Sequence, residues 1–149
     1  LRTFSKAMAL AGLRVGYLLG RPEIASQIAK AKLPYGLNLL SEMAALVALE
    51  NVEILQQQVE AIRSLREELY AELKSIPGVY PYPSQANFIL CRFALPAEEV
   101  FGRLLEGEGV LVRDVSSYPM LDGHLRLSVG TQEENQALLA GLRSIFIGS

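Results

Sequence analysis

The stretch TFSKAMALAGLRVGY, residues 3–17, decides the fold of this 149-residue chain and indicates its chemistry. Lys6 directly follows a hydroxyl residue, Ser5, and Arg14 comes eight positions after the lysine. A lysine amine can form an imine with an aldehyde, and hydroxyl groups and a guanidinium can hold a phosphate. Pyridoxal 5'-phosphate carries both an aldehyde and a phosphate, so the stretch predicts a site for this cofactor.

The same stretch predicts a turn followed by a strand. Gly12 supplies the turn, and apolar residues then alternate over residues 13–19. One face of the predicted strand carries Leu13, Val15, Tyr17 and Leu19. Arg14 is expected on the opposite face, where Gly16 leaves room beside it for a ligand. On a single helix Arg14 and Lys6 would not share a face, because eight residues do not complete whole turns.

Residues 3–17 resemble, without a gap, the cofactor-lysine segment of the aspartate-aminotransferase-type (fold type I) enzymes, and are most similar to the histidinol-phosphate aminotransferase family. The resemblance implies that Lys6 carries pyridoxal 5'-phosphate as a covalent imine and then acts as the proton-shuttling base. It also implies that Ser5 and Arg14 bind the cofactor phosphate, with Thr3 as a further phosphate-binding hydroxyl. The alternative interpretation is a surface helix capped by Thr3 or Ser5, with Lys6 in solvent.

Composition indicates a soluble globular chain, since 50% of the residues are hydrophobic and 20% are charged. The net charge of -2, without a basic block, gives no reason to expect nucleic acid or a membrane surface as a partner. Cys91, the only cysteine, fits a reducing cytoplasm and is expected to be a small buried hydrophobe. One histidine, one cysteine and no clustered carboxylates predict no metal site.

The resemblance implies an α/β fold in which this chain is the C-terminal part, roughly the last two-fifths, of a fold type I enzyme. We expect residues 1–40 to be a remnant of the large cofactor-binding domain and residues 41–76 a long helix that links the domains. Residues 77–149 are expected to form the small α+β domain. The isolated chain should bind the cofactor at most weakly and unproductively, and the whole enzyme is expected to be a homodimer.

Two helices are predicted in the first half of the chain. Proline and glutamate at positions 22 and 23 open a helix over residues 22–32, which Pro34 stops. Residues 33–38 are a predicted loop. Ser41 is the predicted N-cap of a long helix that reaches about residue 76, with a bend near Asn51.

The second half predicts alternating strands and helices. Strands are expected at residues 86–93, 110–113 and 124–129, and helices start at Pro96 and after Thr131, which is a predicted N-cap. The first of these helices should end near Glu106, with Gly107 and Gly109 as the stop signals. His124 follows an Asp-Gly turn and is expected to be exposed to solvent.

Two arginines interrupt apolar strands in the second half. Leu125 and Leu127 share one face of their predicted strand, so Arg126 points to the other. The resemblance implies that Arg126 grips a substrate α-carboxylate and that Arg113, thirteen residues earlier, is a second substrate-binding arginine. The alternatives are a surface salt bridge for Arg126 and, for Arg113, a solvated position beside an aspartate.

The sequence therefore supports transamination between a small-molecule amino donor and a 2-oxo acid. Histidinol phosphate has a phosphate ester and no α-carboxylate, and two convergent guanidinium groups could accept either its phosphate or the carboxylate of glutamate. The leading hypothesis is transamination of histidinol phosphate with 2-oxoglutarate in histidine biosynthesis. The alternatives are an aromatic or aspartate aminotransferase, a phosphate-substrate decarboxylase of the same fold, and a non-catalytic folded fragment.

Overall fold

A computed structural model of the chain describes residues 1–33 and 36–148. The chain divides into two compact units, Leu1–Val59 and Glu60–Ser149, and each is described by itself. The division falls inside a helix, and the domain ranges expected from the sequence stay a prediction. Pro34, the predicted helix stop, and Tyr35, part of the predicted loop, lie outside the described residues.

The first unit begins with a short antiparallel pair of strands and continues with helices. Its elements are β1 (Arg2–Thr3), a 3-10 helix (Ala11–Leu13), β2 (Gly16–Tyr17), α1 (Pro22–Lys30) and α2 (Leu39–Glu50), followed by the start of α3 (Val52–Ser75). Among its described residues the buried core is small and consists of Phe4, Val15 and Ala45. The structure of this unit therefore depends heavily on local hydrogen bonds.

The strand predicted over residues 13–19 is wrong in extent. Leu13 ends the 3-10 helix, and Arg14 has a left-handed backbone with φ of 55°, so only Gly16–Tyr17 pairs with β1. Leu19 is 82% exposed, and the predicted single apolar face does not form. Gly16 also has a different role from the predicted one, because a Cβ there would lie 2.8 Å from the carbonyl oxygen of Arg2. The glycine allows close approach of β1.

In the first unit, the N-cap of α2 and the continuity of the predicted long helix differ from the predictions. Helix α1 starts at Pro22 as predicted and ends at Lys30. Asn38, not Ser41, caps α2, because its side chain accepts a hydrogen bond from the Ser41 amide at 2.9 Å. The Ser41 hydroxyl instead donates to the carbonyl oxygen of Leu13 at 3.0 Å. The predicted long helix is interrupted at Asn51, which is the C-cap of α2.

The second unit is a four-stranded antiparallel sheet with helices packed on one face. Its further elements are β3 (Val79–Pro81), β4 (Phe88–Phe93), α4 (Ala97–Glu108), β5 (Arg113–Asp114), β6 (His124–Ser128) and α5 (Gln132–Phe146), with strand order β3-β4-β6-β5. The core includes eight side chains with no exposed surface: Leu73, Ile89, Cys91, Val100, Leu104, Leu125, Leu127 and Leu142. Burial of such side chains is the main stabilising contribution to the unit.

Most predicted boundaries of the second unit are close to the observed ones. Thr131 forms a capping box with Glu134, as the N-cap prediction requires. Helix α4 continues through Gly107 to Glu108, so the predicted end at Glu106 is wrong, and Gly109 is the left-handed C-cap. The strand predicted over residues 110–113 is reduced to Arg113–Asp114.

His124 is buried, which corrects the prediction of an exposed turn histidine. Only 8% of its surface is accessible. Its Nδ1 lies 2.8 Å from the carbonyl oxygen of Asp122, and its Nε2 lies 3.2 Å from the hydroxyl of Tyr82. Both ring nitrogens thus have polar partners. In the described part of the chain, no helix has the length and apolar character that crossing a membrane would require.

Candidate active site

One surface cleft of the first unit is lined by all four residues that the resemblance assigns to the cofactor. Thr3, Ser5, Lys6 and Arg14 border this cleft, which has a volume of about 610 Å³. Arg2 lines it too, and none of the described residues that line it is acidic. A cleft bordered by three cationic side chains and two hydroxyls favours an anionic ligand. We call it the lysine cleft.

The backbone fixes the two hydroxyl residues on one side of the chain. Phe4, which lies between them, is buried in the core of the first unit, and its amide donates to the carbonyl oxygen of Val15 at 3.0 Å. Thr3 and Ser5 therefore project away from that core. The Thr3 hydroxyl donates to Ser5 Oγ at 2.9 Å, and the Ser5 amide donates to Thr3 Oγ1 at 3.0 Å. The two hydroxyls are held side by side.

Lys6 lies at the start of a tight turn. The amide of Ala9 donates to the Lys6 carbonyl oxygen at 2.9 Å, and the amide of Leu10 donates to the Phe4 carbonyl oxygen at 3.0 Å. Ala9 has φ of 54°, a left-handed conformation that ends the turn. Residues 4–9 form bends and turns, so the alternative of a surface helix capped by Thr3 or Ser5 is wrong. The Lys6 side chain is exposed at the cleft.

Arg14 reaches the lysine cleft from a strained backbone. A left-handed conformation at a non-glycine residue costs about 1 kcal/mol. It is compensated locally, since the Arg14 amide and its Nη1 both donate to the carbonyl oxygen of Ala11, at 3.4 and 3.2 Å. The next residue, Val15, is buried, which leaves the Arg14 side chain on the surface. Nη1 bonding uses one of five guanidinium N–H donors, so several donors remain to bind an anion.

The residues of the lysine cleft fit pyridoxal phosphate. The cofactor needs an amine for its aldehyde and several donors for its phosphate. Lys6 supplies the amine, while Thr3, Ser5 and Arg14 are phosphate-binding types of side chain at the same cleft.

The two arginines predicted to bind substrate are direct neighbours in the sheet of the second unit. Arg113 on β5 is paired with Arg126 on β6 in the antiparallel register. Directly paired residues project from the same face, and like charges opposite each other repel. Of the ion pairs found within residues 1–33 and 36–148, none involves Arg113 or Arg126. An anion bound between them would relieve this repulsion.

The neighbouring aspartate does not neutralise Arg113. Asp114 Oδ1 accepts a hydrogen bond from the Ser116 amide at 2.8 Å and another from the Ser116 hydroxyl. The hydroxyl and amide bonds hold the pKa of the Asp114 carboxyl below its usual value. Arg113 itself is exposed. This exposure agrees with the alternative of a solvated position for Arg113, which forms no ion pair with Asp114 among the described residues.

Arg126 is held differently, and the residue that holds it was missed in the sequence. Its guanidinium carbon lies 5.1 Å from the centre of the Phe88 ring. Within the described chain, Arg126 Nε is buried and has no hydrogen-bond partner. The sequence shows Phe88 only as an apolar strand residue, because its contact with Arg126 depends on the pairing of β4 with β6. Arg2 lines the lysine cleft but was not predicted as a site residue, and its only signal in the sequence is its position beside Thr3.

Comparison with known proteins identifies the family. The family model described as aminotransferase class I and II matches residues 1–142. The chain belongs to this family. Class I and II aminotransferases similar to it include the histidinol-phosphate aminotransferase of Chlorobium phaeovibrioides, which is 44% identical over 97% of the chain and 40% of the relative. The chain thus spans about two-fifths of the length of the curated relatives it matches.

Solved aminotransferase structures agree with this assignment. The histidinol-phosphate aminotransferase from Clostridium acetobutylicum has a TM-score of 0.88 and 26% identity, over 99% of this chain and 45% of that one. The enzyme from Sinorhizobium meliloti in complex with pyridoxal-5'-phosphate has a TM-score of 0.80 and 28% identity, over 97% and 40%. The predicted fold class, part of the fold type I aminotransferase fold, is confirmed.

Proposed function

We propose that this chain carries the cofactor lysine of an enzyme that transaminates histidinol phosphate with 2-oxoglutarate in histidine biosynthesis. The observation that carries the proposal is the lysine cleft, where Thr3, Ser5, Lys6 and Arg14 come together. The similarity to enzymes named histidinol-phosphate aminotransferase supports the choice of substrate. We further propose that the whole enzyme is a cytoplasmic homodimer.

The proposed chemistry assigns one role to each side chain of the lysine cleft. Bound pyridoxal phosphate would act as an electron sink for the substrate carbon that carries the amino group. Lys6 would hold the cofactor through its amine and would move the proton at that carbon. Arg14 would donate charge-assisted hydrogen bonds to the cofactor phosphate, and Ser5 would donate from its hydroxyl. Thr3 would donate to the phosphate by giving up its hydrogen bond to Ser5 Oγ. Together they fix the cofactor at one end.

Arg126 and Arg113 are proposed to bind the anionic ends of the two substrates. The carboxylate of glutamate suits the planar fork of Arg126. The phosphate of histidinol phosphate carries up to two negative charges, for which a second guanidinium at the paired position of Arg113 is useful. The pairing of β5 with β6 supports this proposal, because it places the two arginines opposite each other on one face of the sheet.

Absorbance of added pyridoxal phosphate tests the proposal. Titration of the 149-residue chain with a large excess of pyridoxal phosphate is expected to give a weak but saturable shift of the cofactor band, and Lys6→Ala should remove it. Lys74→Ala is the matched control, because Lys74 is an exposed lysine outside the cleft. Inorganic phosphate should compete with pyridoxal phosphate and reduce the shift, since we propose that Arg14 binds the cofactor phosphate. An unchanged shift in Lys6→Ala would refute the assignment.

A further inference from the structure

The register of the second sheet places an aromatic ring diagonally beside Arg126. Arg126 on β6 is paired with Leu90 on β4, and Ser128, two residues later, is paired with Phe88. Residues two positions apart on a strand share a face, so Phe88 and Arg126 project from the same face. Diagonal neighbours are within reach of aromatic and long side chains. The ring centre and the guanidinium carbon are 5.1 Å apart.

The Arg126 guanidinium contacts the Phe88 ring, and its Nε has no hydrogen-bond partner among the described residues. Both side chains are half-buried. Among the described residues, Arg126 Nε is shielded from water and lacks an acceptor, an arrangement that ordinarily destabilises a structure. The attraction between the cation and the ring offsets part of this cost. A guanidinium held over a ring keeps its outer N–H groups available for a ligand.

We propose that Phe88 is a positioning residue that orients the Arg126 guanidinium for a substrate carboxylate. This inference rests on the proposed function of Arg126. The arginine side chain is long, and fixing it only when the ligand arrives would weaken binding. Contact with the Phe88 ring restricts the guanidinium before the carboxylate arrives. The bidentate geometry that a carboxylate requires is then partly formed in the free protein.

The same sheet face provides a matched control. Arg92 on β4 is paired with Tyr80 on β3, and its guanidinium carbon lies 5.3 Å from the centre of the Tyr80 ring. This second pair has nearly the same separation as the first. Arg92 is exposed and has no role in the proposed substrate site. Loss of the Tyr80 ring should therefore remove a cation–π contact without affecting carboxylate binding at Arg126.

The test is an NMR titration of the 149-residue chain with glutarate, without pyridoxal phosphate. Arginine labelled with 15N reports on each Nε–H group, and the Arg126 signal is assigned by its loss in Arg126→Lys. Phe88→Leu keeps an apolar side chain and removes the ring, whereas Phe88→Tyr keeps the ring. Tyr80→Leu is the control. Circular dichroism verifies that each variant is folded.

We expect Phe88→Leu to weaken glutarate binding by about three- to tenfold and to remove the ring-current shift of the Arg126 signal. Phe88→Tyr should restore both, and Tyr80→Leu should leave both within twofold of wild type. Equal affinities in wild type and Phe88→Leu would overturn the proposal, as would equal losses in Phe88→Leu and Tyr80→Leu. Failure of the wild-type Arg126 signal to respond to glutarate would also overturn it. Attachment of the cofactor at Lys6 is tested separately, by the absorbance titration with Lys6→Ala.

Discussion

The two candidate sites are held in place in different ways. The lysine cleft belongs to a unit whose described residues include three buried apolar ones in its core, and tight turns with left-handed residues at Ala9 and Arg14 shape it. Arg113 and Arg126 instead project from a paired sheet whose other face packs on a core of fifteen buried residues. Segments held only by local hydrogen bonds unfold locally at a low free energy, whereas strands that pack on a core unfold only when the whole unit unfolds. The cleft should be adaptable and the arginine pair rigid.

Truncating the core under the arginine pair should give the largest effect. Leu127 has no exposed surface and lies next to Arg126 on β6. Leu127→Ala is expected to lower the free energy of unfolding of the second unit by about 2–5 kcal/mol, because it leaves a cavity. Hydrogen exchange should accelerate at the amides of β4 and β6. Leu111→Ala, at a position that is 72% exposed, is the control and should change little.

The amides of β1 and β2 sharpen the comparison in the same experiment. They should exchange quickly in wild type and respond little to Leu127→Ala, since that substitution leaves their local hydrogen bonds intact. Slower exchange at β1–β2 than at β4–β6 would contradict the contrast between the two regions.

A buried thiol gives a pH-dependent measure of the rigid core. Burial raises the pKa of Cys91 to about 12, above its value in the unfolded chain. The unfolded chain can release the thiol proton above a pKa of about 8.5, whereas the folded state disfavours the thiolate. The free energy of unfolding is therefore unaffected by this thiol below about pH 8.5 and declines as the pH rises toward 12. The free energy of unfolding should fall by about 1.4 kcal/mol per pH unit within that window.

Urea unfolding between pH 8 and 10.5 measures this slope, with Cys91→Ala as the reference that lacks a thiol. Equal slopes in the two proteins would mean that Cys91 ionises freely in the folded state. Iodoacetamide should likewise label the thiol only after the second unit unfolds, since Cys91 has no exposed surface.

Arg14 tests the adaptable site. Arg14→Lys keeps the positive charge but lacks the planar fork that bonds a phosphate at two points. The concentration of pyridoxal phosphate required for half-saturation should rise about tenfold, as expected for one lost charge-assisted hydrogen bond. Arg21→Lys, an exposed substitution before α1, is the control. Unchanged half-saturation in Arg14→Lys would remove Arg14 from the phosphate site.

The smallest expected effect separates the two arginines of the sheet. Arg113→Ala should weaken binding of histidinol phosphate about fivefold and binding of glutamate less than twofold, because only the phosphate has charge for a second guanidinium. Arg92→Ala, another exposed arginine of that face, controls for net charge. NMR titration of the Arg126 signal measures both ligands. Equal losses for the two ligands would favour an aromatic or aspartate aminotransferase.

The second unit, with its large core, was easier to predict from the sequence than the first unit, which depends on local turns. In the second unit the alternation that makes Leu125 and Leu127 core residues was visible in the chain, and so was the Thr131 capping box. In the first unit the 3-10 turn before Arg14 replaced a predicted strand, because its hydrogen bonds override apolar alternation.

Contacts between distant residues caused the other errors. Ser41 is a good cap by residue type, but its hydroxyl bonds the carbonyl oxygen of Leu13, 28 residues away, and Asn38 caps the helix instead. His124 is buried against Tyr82, 42 residues away. The contact between Phe88 and Arg126 likewise requires the sheet register. The candidate cofactor residues were identified because they are close in the chain.

Mapping the lysine that attaches pyridoxal phosphate tests the central claim most directly. Borohydride reduction fixes the attached cofactor, and peptide mass spectrometry locates it among Lys6, Lys30, Lys32 and Lys74. Leu1 also lines the cleft, so the peptide from the 149-residue chain must be fragmented to separate label at Leu1 from label at Lys6. We predict label at Lys6 at cofactor concentrations that leave the other amines unmodified. Label at Leu1, or spread evenly over the four exposed lysines, would contradict the account.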